Sequence, residues 1–324
     1  MMGPTTTRRG LLAAAAMLPM PALAQGTPGV FPDRPIRLIM PFPAGGSSDT
    51  HARAFADAMS RELPQRIVVD NRSGAGGNIG VDAAAKSPPD GYTLLATGPN
   101  IINTRYLIRD TPFRWERDFD PLGLMFSAPN VLVVHPSVPA HTVPEFIAHV
   151  RANPGKLNFG SAGAGGSIHL SGEMFMKMTG TEMVHVPYRG DALLRTDLTV
   201  GAIQVLFGGI TTALEPIRAG HWRALGVTGP DRWPALPDLP TIAETVPGFN
   251  VTSWMGLFAP KGIPAPAVAR LRAAFDKVMA NPQDRATFER LGVQVTPSSP
   301  AEHLAFMRNE EQRWEPILSR FEPA

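Results

Sequence analysis

The sequence predicts an α/β protein in two halves, each a mostly parallel sheet flanked by helices. Three observations lead there. β-branched and aliphatic runs alternate with amphipathic stretches along most of the chain, the pattern of strand–helix–strand units. The combination of strand, glycine-rich loop and helix occurs at residues 36–63 and again at 156–180, far apart in sequence. The first residues read as an export leader, so the folded part begins after them.

The leader is expected over residues 1–24. Arg8-Arg9 precede a short apolar run, 11–20, and Ala22-Leu23-Ala24 is a small-residue cleavage site, giving a mature start near Gln25. That run is shorter than the ~20 apolar residues that span a bilayer. The arginine pair suits a twin-arginine signal as well as the general secretory one. No later stretch is long enough to cross a membrane, and the expected location is the bacterial periplasm.

Ile36-Arg37-Leu38-Ile39-Met40 is the first strand. Pro41-Phe42-Pro43-Ala44-Gly45-Gly46-Ser47-Ser48-Asp49-Thr50 is the loop behind it, and Ala52, Phe55, Ala56, Met59 and Leu63 mark the buried face of the helix that follows. Ser47, Ser48 and Asp49 are each acceptable caps for it. Gly45 and Gly46 allow φ > 0 and close approach of a ligand. A helix start with unpaired N–H groups carries roughly half a positive charge and holds anions. No Lys follows, which excludes the Walker phosphate loop. The second copy runs Lys156-Leu157-Asn158-Phe159-Gly160, then Ser161-Ala162-Gly163-Ala164-Gly165-Gly166-Ser167, then a helix with Ile168, Leu170, Met174, Phe175 and Met178 that stops at Gly180. Ser167 is its natural cap. Two such loops are expected to offer amides to one anion from both sides.

Between the copies, Arg66-Ile67-Val68-Val69-Asp70 is a strand, 71–78 a third glycine-rich loop and 79–86 a short helix. The strand at 92–97 ends on Thr97. Ligands on such sheets sit off the carboxyl ends of strands, so Gly98, Pro99 and Asn100 are candidate pocket wall, with Asn100 a possible hydrogen-bonding group or a plain turn residue. Residues 113–124 read as charged and irregular. Val131-Leu132-Val133-Val134-His135 is a strand, and the first crossing between halves falls near it. Thr142 caps a helix that Asn153-Pro154-Gly155 ends.

After the second copy, the strand at 183–188 delivers Arg189-Gly190-Asp191 to a loop. Asp191 reads either as a ligand contact or as the cap of the helix before Gly201. Ile203-Gln204-Val205-Leu206-Phe207 is followed by Gly208-Gly209, a helix at 211–219 and a strand at 222–227. Residues 254–260 make the return crossing. Helices at 264–279 and 284–291, a short strand at 293–295 and a final helix opened by the Ser299-Pro300-Ala301-Glu302 capping box complete the chain. These elements are expected to pack on the first half. The lobes would then be 27–128 plus 253–324, and 129–252.

Composition narrows the function. The 324 residues carry a formal net charge of +2 with no basic cluster, which argues against nucleic acid as a partner. The absence of Cys excludes disulfides, cysteine metal sites and a thiol nucleophile. Ser47, Ser48, Asp49 and His51 lie close together, and Ser161 with His169 makes another Ser/His pair. There is, however, no Gly-x-Ser-x-Gly elbow, and neighbours in a helix's first turn point different ways. His169 and Glu173 share a helix face, most simply as a surface hydrogen bond, and His135, His141 and His149 lack metal-ligand spacing. A binding protein without catalytic residues, metal or cofactor is the expected reading.

The motifs together resemble the tripartite tricarboxylate transporter substrate-binding proteins, the TctC/Bug family. The resemblance rests on residues 41–49, 70–77, 161–170, Val186-Pro187-Tyr188-Arg189-Gly190, Asp197-Leu198, Gly226-Val227-Thr228 and Trp254-Met255-Gly256-Leu257-Phe258-Ala259-Pro260, which follow in the right order over nearly all of the mature chain. It implies a two-lobed periplasmic binding protein fold of type II with two hinge crossings. It also implies a small carboxylate ligand between the lobes, delivery to membrane permease subunits, and a monomer. The ligand-binding residues it implies are Phe42, Pro43, Ala44, Gly45, Gly46, Ser47 and Asp49 on one loop, and Ser161, Gly163, Ala164, Gly165, Gly166, Ser167 and His169 on the other. Thr97, Asn100, Tyr188, Asp191, Phe207 and Gly208 complete the set. The chain departs from the family after Tyr188-Arg189-Gly190, where small residues and a Pro-Ala pair are usual, and at Gly208, where a polar or acidic residue is. The residues do not separate uptake from presentation of the closed form to a histidine-kinase receptor.

Overall fold

Apolar side chains at alternate positions put Ile36, Leu38 and Met40 on one face of the first strand and Ile39 on the other, and both faces are covered. The computed structural model describes residues 31–319; the leader expected over 1–24 lies outside the described residues. The elements are β1 (Ile36–Met40), α1 (Ser47–Glu62), β2 (Ile67–Asn71), α2 (Asn78–Ala85), β3 (Thr93–Thr97), α3 (Asn100–Leu107), α4 (Trp115–Asp118) and β4 (Phe119–Val134). Then come α5 (Val143–Ala152), β5 (Asn158–Ser161), α6 (Ser167–Thr179), β6 (Val184–Pro187), α7 (Asp191–Thr199), β7 (Val205–Gly209), α8 (Ile210–Arg218) and β8 (Arg223–Val227). The chain ends with β9 (Thr252–Pro260), α9 (Ala265–Ala280), α10 (Pro282–Arg290), β10 (Gln294–Val295) and α11 (Pro300–Leu318).

The strands follow the order β2-β1-β3-β9-β4-β7-β5-β6, with β8 and β10 also pairing with β4. The fold is two-lobed. β2, β1 and β3 are parallel in one lobe, and β6, β5 and β7 in the other. Antiparallel β9 and β4 join the first set, and β4 with β8 the second. β4 therefore belongs to both lobes. It changes partner at one point: Pro129 pairs with Thr252 on β9, and Asn130 with Gly209 on β7. The cores divide in the same way. Phe55, Phe126 and Phe275 share a cluster of the first lobe, whereas Phe146, Phe159, Phe175 and Phe207 share one of the second.

Two expectations needed correction. Residues 113–124 are not irregular, because β4 begins at Phe119. Pro121, Gly123 and Pro129 interrupt its alternation, and two register shifts against β9 absorb the misfit. The second is at Asn100: read as a ligand-bonding group or a turn residue, it is the first residue of α3, so the turn alternative does not hold. That helix buries Asn100, Ile101, Ile102, Asn103, Thr104 and Leu107, so no one-sided stripe marks it.

The C-terminal helix does more than return to the first lobe. Met307 packs in a first-lobe cluster, whereas Trp314 and Leu318 join the large second-lobe cluster. Between them, buried Glu310 accepts from the indole N–H of Trp254 at 3.2 Å and of Trp314 at 3.1 Å through the same oxygen. Arg313 donates to the carbonyl of Asn250, just before β9. No helix among the described residues is long and apolar enough to cross a membrane.

Candidate functional site

Two kinds of helix start bear on the site. α5, α10 and α11 are capped by side chains, those of Thr142, Asn281 and Ser299. α1, α6 and α8 are instead preceded by Gly46, Gly166 and Gly209, whose cap position brings no side-chain cap bond. The caps expected from Ser47, Ser48, Asp49 and Ser167 are therefore not formed: the glycine takes the cap position in extended backbone, and the polar residues enter the helix. These three starts line one cavity, and Gly190, which heads α7, makes a fourth glycine-headed start on its wall.

The first two starts are built alike. Gly45 and Gly165 have φ of 86° and 81°, and Gly46 and Gly166 have φ, ψ of −81°, 170° and −77°, 166°. In each, the amide of the first glycine is tied to a side chain four residues on. Gly45 N–H donates to Asp49 Oδ2 at 2.9 Å, and Gly165 N–H to His169 Nδ1 at 3.3 Å. Asp49 also accepts from Arg53 Nε at 3.0 Å and Asn71 Nδ2 at 2.8 Å. Burial works to raise its pKa, but these donors outweigh it and hold the carboxyl below its ordinary value. His169 lies over His185, ring centroids 4.2 Å apart, and its Nε2 is 3.4 Å from Glu173. The His169–Glu173 pair is buried rather than on the surface.

The lobes touch across the cavity. Asn103 Nδ2 donates to the Gly165 carbonyl at 3.3 Å, and Ser47 Oγ lies 3.1 Å from Thr212 Oγ1. His51 Nε2 is 2.9 Å from Thr211 Oγ1, which donates to the Leu291 carbonyl. A Cβ on Gly163 would stand 3.0 Å from Gly76 Cα, and one on Gly190 2.6 Å from Pro43 Cγ. The arrangement is closed.

Of the residues expected at the site, Phe42, Pro43, Gly46, Ser47, Asp49, Asn100, Gly163, Gly166 and Ser167 line the cavity. Apart from Asp191, the others stand behind or beside it. Gly45 and His169 shape the loops, as above, and Gly165 and Ala164 face Asn103 and Gly76 of the other lobe. Ala44 is an exposed turn residue. Thr97 donates to Asn100 Oδ1 at 2.8 Å. Ser161 bonds His185 Nε2 at 2.7 Å, not His169. Tyr188 donates to Asp197 at 2.6 Å; burial and that carboxylate push its phenol up to about 12. Phe207 is wholly in the core and Gly208 packs against Leu206, so the neighbouring Gly209 is the one on the cavity wall. Asp191 opens α7 after Gly190 rather than capping it.

Asn100 is distinctive among the lining residues. It is 1% exposed, its Oδ1 is engaged by Thr97, and its Nδ2 has no partner. A buried donor left unpaired costs about 1–3 kcal/mol, so this one suits an acceptor held in the cavity. The sequence reading did not foresee the wall supplied by Phe126, Ser127, Ala128, Pro129, Asn130, Ser253 and Met255. Period-2 alternation in 124–134, read through the prolines, was the available signal.

Buried histidines make stability depend on pH. Burial depresses His51 to about 4, His185 to about 3, where His169 adds to the effect, and His303 to about 3. Each is neutral when folded and takes up a proton near pH 6.5 when unfolded. Stability is therefore complete above about pH 6.5 and falls as pH drops toward the folded-state values, by about 2 kcal/mol per histidine at pH 5. Urea unfolding at pH 7.5 and 5.0 should show the loss, and His303→Phe should flatten the slope by one histidine's share. An unchanged slope would contradict this assignment.

Known proteins place these features. The family model described as tripartite tricarboxylate transporter family receptor matches residues 51–322. A Pseudomonas protein described as a UPF0065 protein in the tcbD-tcbE intergenic region is 39% identical, over 90% of this chain and 87% of its own. A solved Rhodopseudomonas palustris protein described with adipate is 34% identical with a TM-score of 0.87, covering 91% of this chain and 100% of its own. The MatC protein of the same organism, described with bound malate, is 30% identical with a TM-score of 0.83, covering 89% and 100%.

Proposed function

Because the chain belongs to the tripartite tricarboxylate transporter (TctC) receptor family, whose members are periplasmic solute-binding proteins and not enzymes, we propose that it captures a small carboxylate between its lobes and hands it to membrane permease subunits, working as a monomer. The observation that carries this reading is the set of four glycine-headed helix starts, those of α1, α6, α7 and α8, on one cavity. Their amides suit an acid group because they are fixed in place, and hydrogen bonds to a charged partner contribute about 1.5–3 kcal/mol each. The adipate and malate named for the two Rhodopseudomonas proteins support an acid ligand.

The ligand docks first on one lobe, and closure brings the second set of amides onto it. The hinge lies where β4 changes partner, at Pro129–Asn130, and on the return chain just before Thr252. The lobes divide within a residue of these points, as 27–128 with 253–324, and 129–252. Export with cleavage near Ala24 completes the proposal.

Calorimetry against monocarboxylates and dicarboxylates, including aromatic acids, tests it. Gly45→Val is the matching variant. A Cβ there meets nothing within 4 Å, so the substitution acts only on the left-handed backbone at φ 86°. That strain is roughly 1–2 kcal/mol; the loop relieves it by leaving the left-handed conformation, which moves its amides off the ligand and weakens binding by about tenfold or more. An unaltered affinity would show that the loop does not hold the ligand.

A further inference from the structure

The two matched loops differ in the group that ties them. In the first lobe it is a carboxylate, Asp49, which accepts from the Gly45 amide at 2.9 Å. Against the pull of burial, Arg53, Gly45 and Asn71 hold that carboxyl below its ordinary pKa. In the second lobe the tie is an imidazole, again four residues after the glycine. Imidazole is the side chain that ordinarily takes up a proton between about pH 8 and 5. A carboxylate of this kind still accepts a hydrogen bond throughout that range, and an imidazolium cannot.

The bonds of His169 decide where a proton must go. Gly165 N–H donates to Nδ1 at 3.3 Å, so Nδ1 carries the lone pair and Nε2 the hydrogen. Nε2 lies 3.4 Å from Glu173 Oε1. A second proton enters at Nδ1, where donor then meets donor and the bond to Gly165 is lost. Among the described residues, the ionisable groups against the ring are Glu173 on α6 and His185 on β6, with the apolar ring of Phe159 on β5 beside them. Glu173 draws positive charge onto His169. His185 does not compete for it: burial and the neighbouring His169 hold it down to about 3, and its Nε2 is bonded to Ser161 at 2.7 Å.

We propose that His169 is a positioning residue that holds the second-lobe loop only while neutral, so that acid loosens this half of the site and leaves the first-lobe half in place. The loosening reaches the cavity because Gly163, Gly166 and Ser167 line it, and it reaches the other lobe because the Gly165 carbonyl accepts from Asn103. That it weakens capture rests on the carboxylate-binding reading above. The tie itself lies within one lobe, between residues four apart, and is tested without any ligand.

The test is amide hydrogen exchange followed by NMR on the isotope-labelled, ligand-free protein, expressed as protection factors at pH 7.5 and 5.5. The Gly165 amide should lose about tenfold of its protection on acidification, and the Gly45 amide should keep its own. His169→Asn should abolish the pH dependence at Gly165. Its side-chain oxygen takes the acceptor position that Asp49 fills in the first lobe, and it has no proton to gain. Undiminished protection of Gly165 at pH 5.5 overturns the inference. So does an equal loss at Gly45 and Gly165, which would be a general loosening in acid. The contrast between the two glycines in the parent protein decides the question even if the variant does not fold. Neither overturning result touches carboxylate capture, which calorimetry tests separately.

Discussion

Gly163→Val should weaken ligand binding by about 100-fold by calorimetry. Two effects follow, and the second is the one that acts on affinity. Gly163 has φ 138°, a conformation that a β-branched residue adopts only with strain. Its Cβ would also face Gly76 Cα of the other lobe at 3.0 Å when the lobes are closed, and main chain cannot swing aside. Overpacking of this kind costs typically 1–3 kcal/mol, and a side chain larger than Cβ adds to it. The melting temperature without ligand separates the effects. The loop strain acts in open and closed forms alike and lowers it modestly, whereas the contact with Gly76 is made only on closure and leaves it unchanged. Retained affinity would mean that closure is not required for binding.

Asn100→Asp should weaken binding by on the order of 100-fold at neutral pH. The change is isosteric, and the oxygen that accepts from Thr97 remains. The unpaired donor becomes a charged acceptor in a buried position on the cavity wall. Two like charges about 6 Å apart at an effective dielectric near 20 repel by about 3 kcal/mol, a factor of about 100. Acidification distinguishes repulsion from misfolding. Burial raises the pKa of such a carboxyl, so the protonated acid recovers a donor and affinity returns as pH falls. Asn100→Ala, which removes the donor without adding charge, should cost only about tenfold. A variant that binds like the parent at pH 7.5 would place Asn100 out of reach of the ligand.

The glycine-headed units were legible in the sequence because they are local. Ala44-Gly45-Gly46-Ser47 and Ala164-Gly165-Gly166-Ser167 repeat in order, and each carries its own tether four residues after the first glycine, Asp49 in one and His169 in the other. Conformation there follows from the glycines, so reading the motif came close to reading the geometry. The mistake about caps has the same origin. Serine is the better cap by propensity, yet glycine takes the cap position in extended backbone and the serine enters the helix. What escaped was set by tertiary context. α3 is buried almost all round and shows no stripe. β4 carries two prolines and a glycine that a central strand seldom tolerates, and its partner change at Asn130 shows only once both lobes exist. The wall from Phe126 to Asn130 follows from that strand, so it was out of sight for the same reason.

Glu310 holds two indoles through one oxygen, one on β9 and the other buried among second-lobe side chains. Bending at the pivot must alter at least one of those two bonds, and with it the emission of a tryptophan. Two of the five tryptophans thus act as a built-in optical gauge of how far the jaws have shut. A chain without cysteine also leaves room for a single introduced thiol to carry a dye as an independent check.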